Sequence, residues 1–464
     1  MERALARAEA APTFPRISLP YVSLLVLLFA GAMLPWYTLR TMPLLTIGTA
    51  KINLVDGLAA CAVLLAARPI LRSVLVEREA PLLLLSGFIL YMAVPLAIGL
   101  HDAGARATAV REARGLAFYA LGLAFAAPRY RPADLRAFAA AYAGGTVVAV
   151  AAVFVHLRWL VALPGYTPDA LLAPAGFTVQ SFSWNEHVSP MPTIAVAAAA
   201  GYRIDYLDWS VPLVALLLAV AGALTASVRL KTAAWAAAAL AAGWYLLVSG
   251  ARSPQIVGLA AAAAIAVALG RRHAARRRVL AGIAIAVVLA GGLLVARPAG
   301  VLRGISGPLR TTVLRWGQAG GDDSLRLRVK EVAVSLPAFA RHPIFGEGLG
   351  GVIPIREFAV EGITPRSIAS GYGFLLVKTG LAGFALYLAV VVAVLRAAWL
   401  RIRSGRDNAV WPGARVGLVG IGALLALNLV HTVVDTPDGA LAFSLFFGMI
   451  MAGAPARDVR VSRP

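Results

Sequence analysis

Apolar runs close to 20 residues long recur along most of this 464-residue chain. About 20 residues of helix cross the hydrocarbon core of a bilayer, and a backbone in lipid must satisfy its own hydrogen bonds. The composition agrees, because only 14% of the residues are charged, against about a quarter in soluble domains. The sequence therefore predicts an all-α polytopic membrane protein. The candidate spans are 21–39, 52–67, 81–100, 115–127, 137–157, 188–203, 211–228, 232–249, 254–270, 279–296, 371–395, 414–434 and 438–454.

Arginine and lysine orient these spans, because short cytoplasmic loops of membrane proteins collect positive charge. The regions expected to be cytoplasmic are the N-terminal arm, the loop with Arg68, Arg72 and Arg78, the loop with Arg129, Arg131 and Arg136, the runs RRHAARRR (271–278) and RIRSGR (401–406), and the C-terminal tail. Alternation then requires one candidate not to cross. We choose 188–203, because it is short and Pro190 and Pro192 break its start. The expected topology has about 12 transmembrane helices and both termini in the cytoplasm.

This topology divides the chain into regions. They are a cytoplasmic N-terminal arm (1–20), the first part of a membrane helix bundle (21–296), an extracytoplasmic loop (297–370), the last part of the bundle (371–454) and a cytoplasmic tail (455–464).

The net charge of +21 would suggest nucleic acid as a partner for a soluble protein. Here the arginines cluster between apolar runs, and aromatic residues do not interleave with them. We therefore expect no nucleic-acid binding. The one cysteine, Cys61, lies in an apolar run, which excludes an intramolecular disulfide and a cysteine-based metal site.

The 297–370 loop is rich in arginine. The planar guanidinium suits phosphate oxygens, so this loop indicates an anionic ligand such as a lipid diphosphate. Within it, 324–340 has apolar residues at helical spacing and predicts an amphipathic helix on the membrane surface. Arg328 flanks the apolar stripe of this helix, and Pro337 is expected to kink or end it. Ordinary solvated charge is the other interpretation of these arginines.

Polar residues in apolar surroundings are further candidates for a site. Arg252 lies in a very short outer turn, where positive charge is unusual. Asn428, His431 and Asp435 recur at i, i+3 and i+7, so they are expected to share one helix face near the outer end. Lys378 lies within another apolar run. The sequence leaves open whether such side chains face a cavity or join helices by hydrogen bonds.

Three stretches resemble the O-antigen ligase and polymerase family. SLRLRVKEVAVSLPAFARHPIFGEGLGG (324–351) is similar to the family's arginine-led helix, which runs into a His-Pro-apolar-Phe-Gly turn and a glycine pair. LVSGARSPQIVGL (247–259) resembles its apolar run ending in Ser-Arg. SFSWNEHVSP (181–190) lies where members carry an Asn-Pro-Asn-type stretch. The resemblance covers roughly 180–395.

The resemblance implies a glycosyltransferase of bacterial surface polysaccharide or lipopolysaccharide biosynthesis in the inner membrane. Such an enzyme transfers an undecaprenyl-diphosphate-linked glycan to an acceptor hydroxyl at the outer face, with no cofactor and no metal. Its partners are the lipid-linked donor, a glycan or lipid-linked acceptor, and membrane lipids. The substrate-binding candidates are Arg252, Arg328, Arg326, Arg341 and Tyr372.

The resemblance also gives RHPIFGEGLGG a role as a rigid turn that seats the loop helix against the bundle. Gly346, Gly348, Gly350 and Gly351 are expected to allow close backbone approach and positive φ there.

One stretch departs from the family pattern of His-Asn-x-Tyr-Leu followed by Glu-x-Gly. Ala369 and Ser370 occupy the His and Asn positions, and Lys378 occupies the Glu position. In the ligases that histidine is the proposed base, so a ligase mechanism using that residue is excluded and a polysaccharide polymerase is favoured. Arginines that stabilise the leaving diphosphate can supply much of the rate. The remaining catalytic candidates are His342, Glu347 and His187.

Other functions stay open at this point. An O-antigen ligase acting on lipid A core is one alternative, and a catalytically inactive family member is another. A polysaccharide or lipid transporter is the third, although the paired, broken repeats typical of transporters are not recognisable in the sequence.

Overall fold

A computed structural model describes the protein in several segments, and all structural statements below refer to them. These segments are 18–33, 45–47, 50–161, 193–197, 201–205, 210–248, 252–269, 333, 335–351, 370–405, 407, 411–429, 431 and 433–452. The predicted span 279–296 lies outside them.

The described residues are mainly helical. The helices are α1 (Leu19–Met33), α2 (Leu54–Leu65), α3 (Ala67–Leu71, continued by a π-helical turn, Arg72–Glu77), α4 (Ala80–Tyr91), α5 (Ala93–His101), α6 (Arg106–Ala117), α7 (Ala120–Ala126), α8 (Pro132–Val161), α9 (Ser210–Thr225), α10 (Arg229–Val248), α11 (Arg252–Leu269), α12 (Gly371–Arg403), α13 (Gly413–Leu427) and α14 (Pro437–Met451).

Several helices have the length and composition to cross a bilayer. Three do so clearly: Ala80–His101 (α4 with α5), Pro132–Ala152 within α8, and Gly371–Arg403. A fourth candidate is a pair bent by 57°, formed by Leu54–Leu65 and Ala67–Glu77. The shorter apolar helices include α1, α9, α13 and α14. The protein is thus a helical membrane protein, as the apolar runs predicted.

Two short antiparallel hairpins are exceptions to the predicted all-α fold. β1 (Leu45–Ile47) pairs with β2 (Ala50–Ile52), and β3 (Thr193–Ala197) pairs with β4 (Gly201–Asp205). The second hairpin occupies much of 188–203, the segment that was expected not to cross. Its Thr, Ile and Val residues are β-branched and favour extended backbone, which explains why an apolar run here is not a helix.

The predicted span 115–127 is not one straight helix. The chain instead forms α6 and α7, joined by a short turn at Phe118 and Tyr119. α6 begins nine residues before the predicted span and carries most of the polar residues of this region. The apolar run alone could not show this extension, because α6 has low overall hydropathy.

The C-terminal helix α14 is the centre of the bundle. All of its residues are buried, and it packs against α6, α7, α9, α12 and α13. A helix that is apolar on every side needs such a position. Glycines permit the close packing: a Cβ on Gly420 would lie 2.4 Å from the Phe446 ring, and one on Gly448 would lie 2.3 Å from the Cβ of Phe125.

Ion pairs join helix ends at two places. Arg129 contacts Glu77 Oε2 at 2.5 Å and Glu79 Oε1 at 2.7 Å, which ties the turn after α7 to the turn before α4. Arg114 of α6 contacts Asp56 Oδ1 in the first turn of α2 at 2.6 Å. The first contact joins two loops that were both expected in the cytoplasm.

We predict that Phe446→Ala lowers the free energy of unfolding by about 3–5 kcal/mol, the usual cost of emptying a packed aromatic site. Phe446 is fully buried beneath α13. The matched control is Phe29→Ala, because Phe29 is 39% exposed on α1 and should cost less. Thermal unfolding of the purified variants measures both. Equal losses for the two variants would contradict the central position of α14.

Candidate active site

The helix α12 is broken at Gly380, nine residues after its start. Gly380 has φ +67° and ψ −173°, which no helical residue adopts. Such a break removes intrahelical hydrogen bonds and leaves carbonyls and N–H groups without helical partners. Because these groups lie inside an apolar bundle, they need other partners.

The segment RHPIFGEGLGG (341–351), here called the glycine turn, supplies those partners from one side. Glu347 N–H donates to Val377 O at 2.8 Å, and Gly348 N–H donates to Lys378 O at 3.2 Å. These carbonyls end the first half of α12. The glycine turn therefore takes the place of the missing helical donors.

The same turn also accepts hydrogen bonds from the second half of α12. Leu381 N–H donates to Pro343 O at 2.8 Å, and Ala382 N–H donates to Ile344 O at 3.1 Å. Both sides of the break are thus paired with one segment of backbone. The Tyr91 hydroxyl of α4 donates to Thr379 O at 2.8 Å and satisfies a further carbonyl at the break.

Glycine is required where the turn and the break meet. Gly346 has φ +77°, and a Cβ there would lie 2.5 Å from the carbonyl carbon of Lys378. A Cβ on Gly380 would lie 2.2 Å from Ile344 O. The sequence-based expectation of positive φ holds at Gly346, Gly348 and Gly350, but Gly351 does not have a positive φ.

The far end of the glycine turn rests on α5 and α6. Leu349 N–H donates to Pro95 O at 2.9 Å, and a Cβ on Gly99 would lie 1.8 Å from Leu349 O. A Cβ on Gly350 would lie 2.5 Å from Ala105 O. The turn is therefore held by three helices.

A buried ion pair lies under the turn. Lys378 Nζ is 3.5 Å from Glu112 Oε1, and the two side chains are 0% and 5% exposed. Each also bonds the turn: Gly350 N–H donates to Glu112 Oε2 at 2.6 Å, and Lys378 Nζ donates to Gly351 O at 2.5 Å. Burial raises the pKa of the Glu112 carboxyl, and Lys378 and the Gly350 N–H oppose that rise.

The sequence analysis identified Lys378 as a candidate site residue but did not identify Glu112. The signal for Glu112 was its place in REAR (111–114), a charged patch beside an apolar run. Its partner is 266 positions further along the chain (378 minus 112), and no spacing rule connects them.

Three predicted residues meet on the outer surface of the turn. Arg341 Nη2 is 2.8 Å from Glu347 Oε1, and His342 Nε2 is 3.9 Å from Glu347 Oε2. The Arg341 and His342 side chains are 55% and 60% exposed, whereas Glu347 is 17% exposed. A guanidinium and an imidazole are thus held beside one carboxylate and are open to an approaching ligand. Such a group can bind an anion and accept a proton.

The residues before the turn only partly follow the predicted amphipathic helix. Residues 335–341 are helical, so the helix does not end at Pro337. Ser335 and Ala338 are buried, whereas Leu336, part of the predicted apolar stripe, is 56% exposed. The described part of this helix therefore packs on the protein through Ser335 and Ala338 and leaves Leu336 exposed.

The prediction that Asn428, His431 and Asp435 share one helix face is wrong. α13 ends at Leu427, and the chain turns before α14 begins at Pro437. The Asn428 side-chain oxygen accepts the N–H groups of Val433 and Val434, both at 3.0 Å. This local side-chain bonding competes with helix continuation, which explains the turn.

Two other residues of the expected site have structural partners. The Tyr372 hydroxyl donates to Leu425 O at 2.9 Å and joins α12 to α13. Ser370 is the N-cap of α12, and its hydroxyl oxygen accepts the Gly373 N–H at 3.4 Å. The remaining candidates lie outside the described residues: His187, Arg326 and Arg328 entirely, and Arg252 in its side chain, although its backbone begins α11.

Comparison with known protein families gives a match to this part of the chain. A family model described as O-antigen ligase matches residues 235–388. The matched range begins in α10 and contains α11, the glycine turn and the break in α12. It confirms the resemblance to the O-antigen ligase and polymerase family over about a third of the chain. A search of curated proteins gave no match.

We predict that Gly346→Ala destabilises the protein, whereas Gly422→Ala does not. Alanine at the φ of Gly346 costs about 1–2 kcal/mol before any clash with Lys378. A Cβ on Gly422, within α13, meets no atom within 4 Å. Alanine there should be neutral or stabilise by about 0.5–1 kcal/mol. Thermal unfolding in detergent measures both, and a Gly346→Ala protein as stable as wild type would refute the close approach.

Proposed function

We propose that the protein is a metal-independent membrane glycosyltransferase of bacterial surface polysaccharide assembly. It transfers a polyprenyl-diphosphate-linked glycan to an acceptor hydroxyl at the outer face of the inner membrane. The observation that carries this proposal is the cluster of Arg341, His342 and Glu347 on the glycine turn, within the region matched to the O-antigen ligase family.

The cluster suits the two demands of such a transfer. His342 accepts the proton of the acceptor hydroxyl, and Glu347 stabilises the imidazolium that forms. The acceptor oxygen bonds to the anomeric carbon of the donor while the bond from that carbon to the diphosphate oxygen breaks. The diphosphate leaves with the electron pair, and Arg341 neutralises its charge.

The other candidates complete the proposed donor site. Arg252, Arg326 and Arg328 bind the diphosphate together with Arg341, because guanidinium groups pair with phosphate oxygens. Tyr372 contributes its ring, since its hydroxyl already bonds Leu425 O. His187 is the alternative base if His342 only orders the turn before Pro343.

Polymerisation is the favoured reaction, because Ala369 and Ser370 replace the His and Asn of the family pattern. The N-cap role of Ser370 is consistent with a structural position rather than a chemical one. Ligation to lipid A core is the second candidate, and the description of the matched family as O-antigen ligase favours it.

The proposed topology keeps about 12 spans, with both termini cytoplasmic and 297–370 outside. Two contacts support it. Arg129 joins loops that should both be cytoplasmic, and Glu112 joins the glycine turn to α6 near the outer ends of the helices. An outward-facing glycine turn would meet the donor in the outer leaflet.

We predict that His342→Gln lowers the transfer rate about 10²–10⁴-fold, the worth of a positioned general base. Arg341→Ala should lower it about 10²–10³-fold by removing charge stabilisation. The assay is incorporation of synthetic polyprenyl-diphosphate-linked repeat units by the protein in nanodiscs. His101→Gln and Arg396→Ala are the matched controls, since both side chains are exposed and outside the cluster.

The products of the same assay separate the candidate reactions. Growth of chain length with the donor alone indicates a polymerase, and transfer only when lipid A core is added indicates a ligase. Wild-type rates in both the His342→Gln and Arg341→Ala proteins would reject the proposed cluster.

We predict that Gly320→Cys reacts with a membrane-impermeant maleimide in intact spheroplasts, because 297–370 faces outward. The background needs Cys61→Ser, since Cys61 is exposed. His273→Cys, in the basic run 271–278, is the control and should react only after lysis. The reverse pattern would overturn the topology.

A further inference from the structure

The buried pair of Glu112 and Lys378 makes contacts that a simple bundle-stabilising pair does not need. Each charge has one contact with its partner and one with the backbone of the glycine turn, at Gly350 N–H and Gly351 O. The turn thus completes the coordination of both charges. Removing it would leave a buried carboxylate and a buried ammonium short of a partner each.

Stability alone does not explain this arrangement. Taking two charges out of water is expensive, and well-packed apolar side chains often stabilise a protein equally well. A charged pair gives directional contacts instead. Gly350 N–H requires an acceptor and Gly351 O requires a donor, and each is met by the side chain that can provide it.

The pair is also coupled to the candidate active site. Glu347 lies three residues before Gly350 in the same turn, and its N–H bonds α12 beside Lys378. Any shift of the turn over the pair would therefore move Glu347 and, with it, its contacts to Arg341 and His342.

We infer that Glu112 and Lys378 are positioning residues that hold the glycine turn on α6 and α12, and so hold Arg341, His342 and Glu347 in place for transfer. This inference rests on the proposed function for its catalytic half. Its structural half, that the pair keeps the glycine turn packed on α6 and α12, can be measured without any substrate.

Two double variants separate the possible roles of the pair. Glu112→Gln with Lys378→Met removes both charges at similar side-chain length, so no buried charge is left alone. Glu112→Lys with Lys378→Glu keeps the ion pair, but it sets a donor against Gly350 N–H and an acceptor against Gly351 O. A role in bundle stability needs only the pair, whereas a role in positioning needs the original polarity.

Both variants are made in a Cys61→Ser, Phe345→Cys background, because Phe345 is in the turn and 52% exposed. Three quantities are measured in nanodiscs: thermal unfolding, the rate at which a maleimide modifies the thiol introduced by Phe345→Cys, and kcat and KM for the lipid-linked donor. The same background with the wild-type pair is the reference.

We expect the Glu112→Lys, Lys378→Glu variant, called the exchanged pair, to fold. Its introduced thiol should react with maleimide at least about tenfold faster than in the reference. Its kcat should fall about 10- to 100-fold with little change in KM, because small displacements of catalytic groups have such effects. The Glu112→Gln, Lys378→Met variant should show a smaller change in the same direction, because the glutamine amide oxygen can still accept the Gly350 N–H while Gly351 O loses its donor. Absence of transfer by the wild-type protein in the same assay would reject the proposed function, while faster modification in the variants would still support the role of the pair in holding the turn.

Three results would overturn the inference. The first is a rate of maleimide modification and a kcat in the exchanged pair that both equal those of the reference. The pair would then only stabilise the helix bundle. The second is faster modification with unchanged kcat, which would separate the turn from catalysis. The third is failure of both variants to fold, which would assign the pair to the bundle as a whole.

Discussion

The interrupted helix α12 is the constraint on which the site depends. Its break at Gly380 leaves backbone donors and acceptors inside an apolar bundle, where each unpaired group would cost several kcal/mol. The glycine turn satisfies groups on both sides of the break, with Glu347 and Gly348 as donors and Pro343 and Ile344 as acceptors. The loop is therefore fixed by the backbone requirements of a helix, together with the burial of its Leu349 side chain in the core.

This arrangement explains how polar side chains can be held in fixed positions beside an apolar helix bundle. Binding and catalytic groups need to be held closely by their surroundings. Arg341, His342 and Glu347 are exposed enough to meet a ligand, yet their backbone is fixed by hydrogen bonds and by the buried Glu112–Lys378 pair below. One face of the turn thus exposes these side chains to a ligand, while the opposite face holds the backbone in place.

The sequence predicted the parts of this picture that depend on local pattern. Apolar runs located most helices, and the family resemblance predicted a rigid turn at 341–351 whose glycines would allow positive φ. It could not predict the Glu112–Gly350 bond, because the partners are 238 positions apart and only the packing of α6 brings them together. It also placed Asn428, His431 and Asp435 on one helix, because helical spacing does not show that Asn428 bonds the backbone ahead of it and ends α13.

The most direct test of the account is an experimental structure of the protein in lipid nanodiscs with a polyprenyl diphosphate bound. The account predicts that the glycine turn pairs with residues 377–382 across a broken α12, and that the diphosphate lies within hydrogen-bonding distance of the Arg341 guanidinium. A continuous helix through Gly380, or a diphosphate bound on a surface remote from the glycine turn, would contradict it.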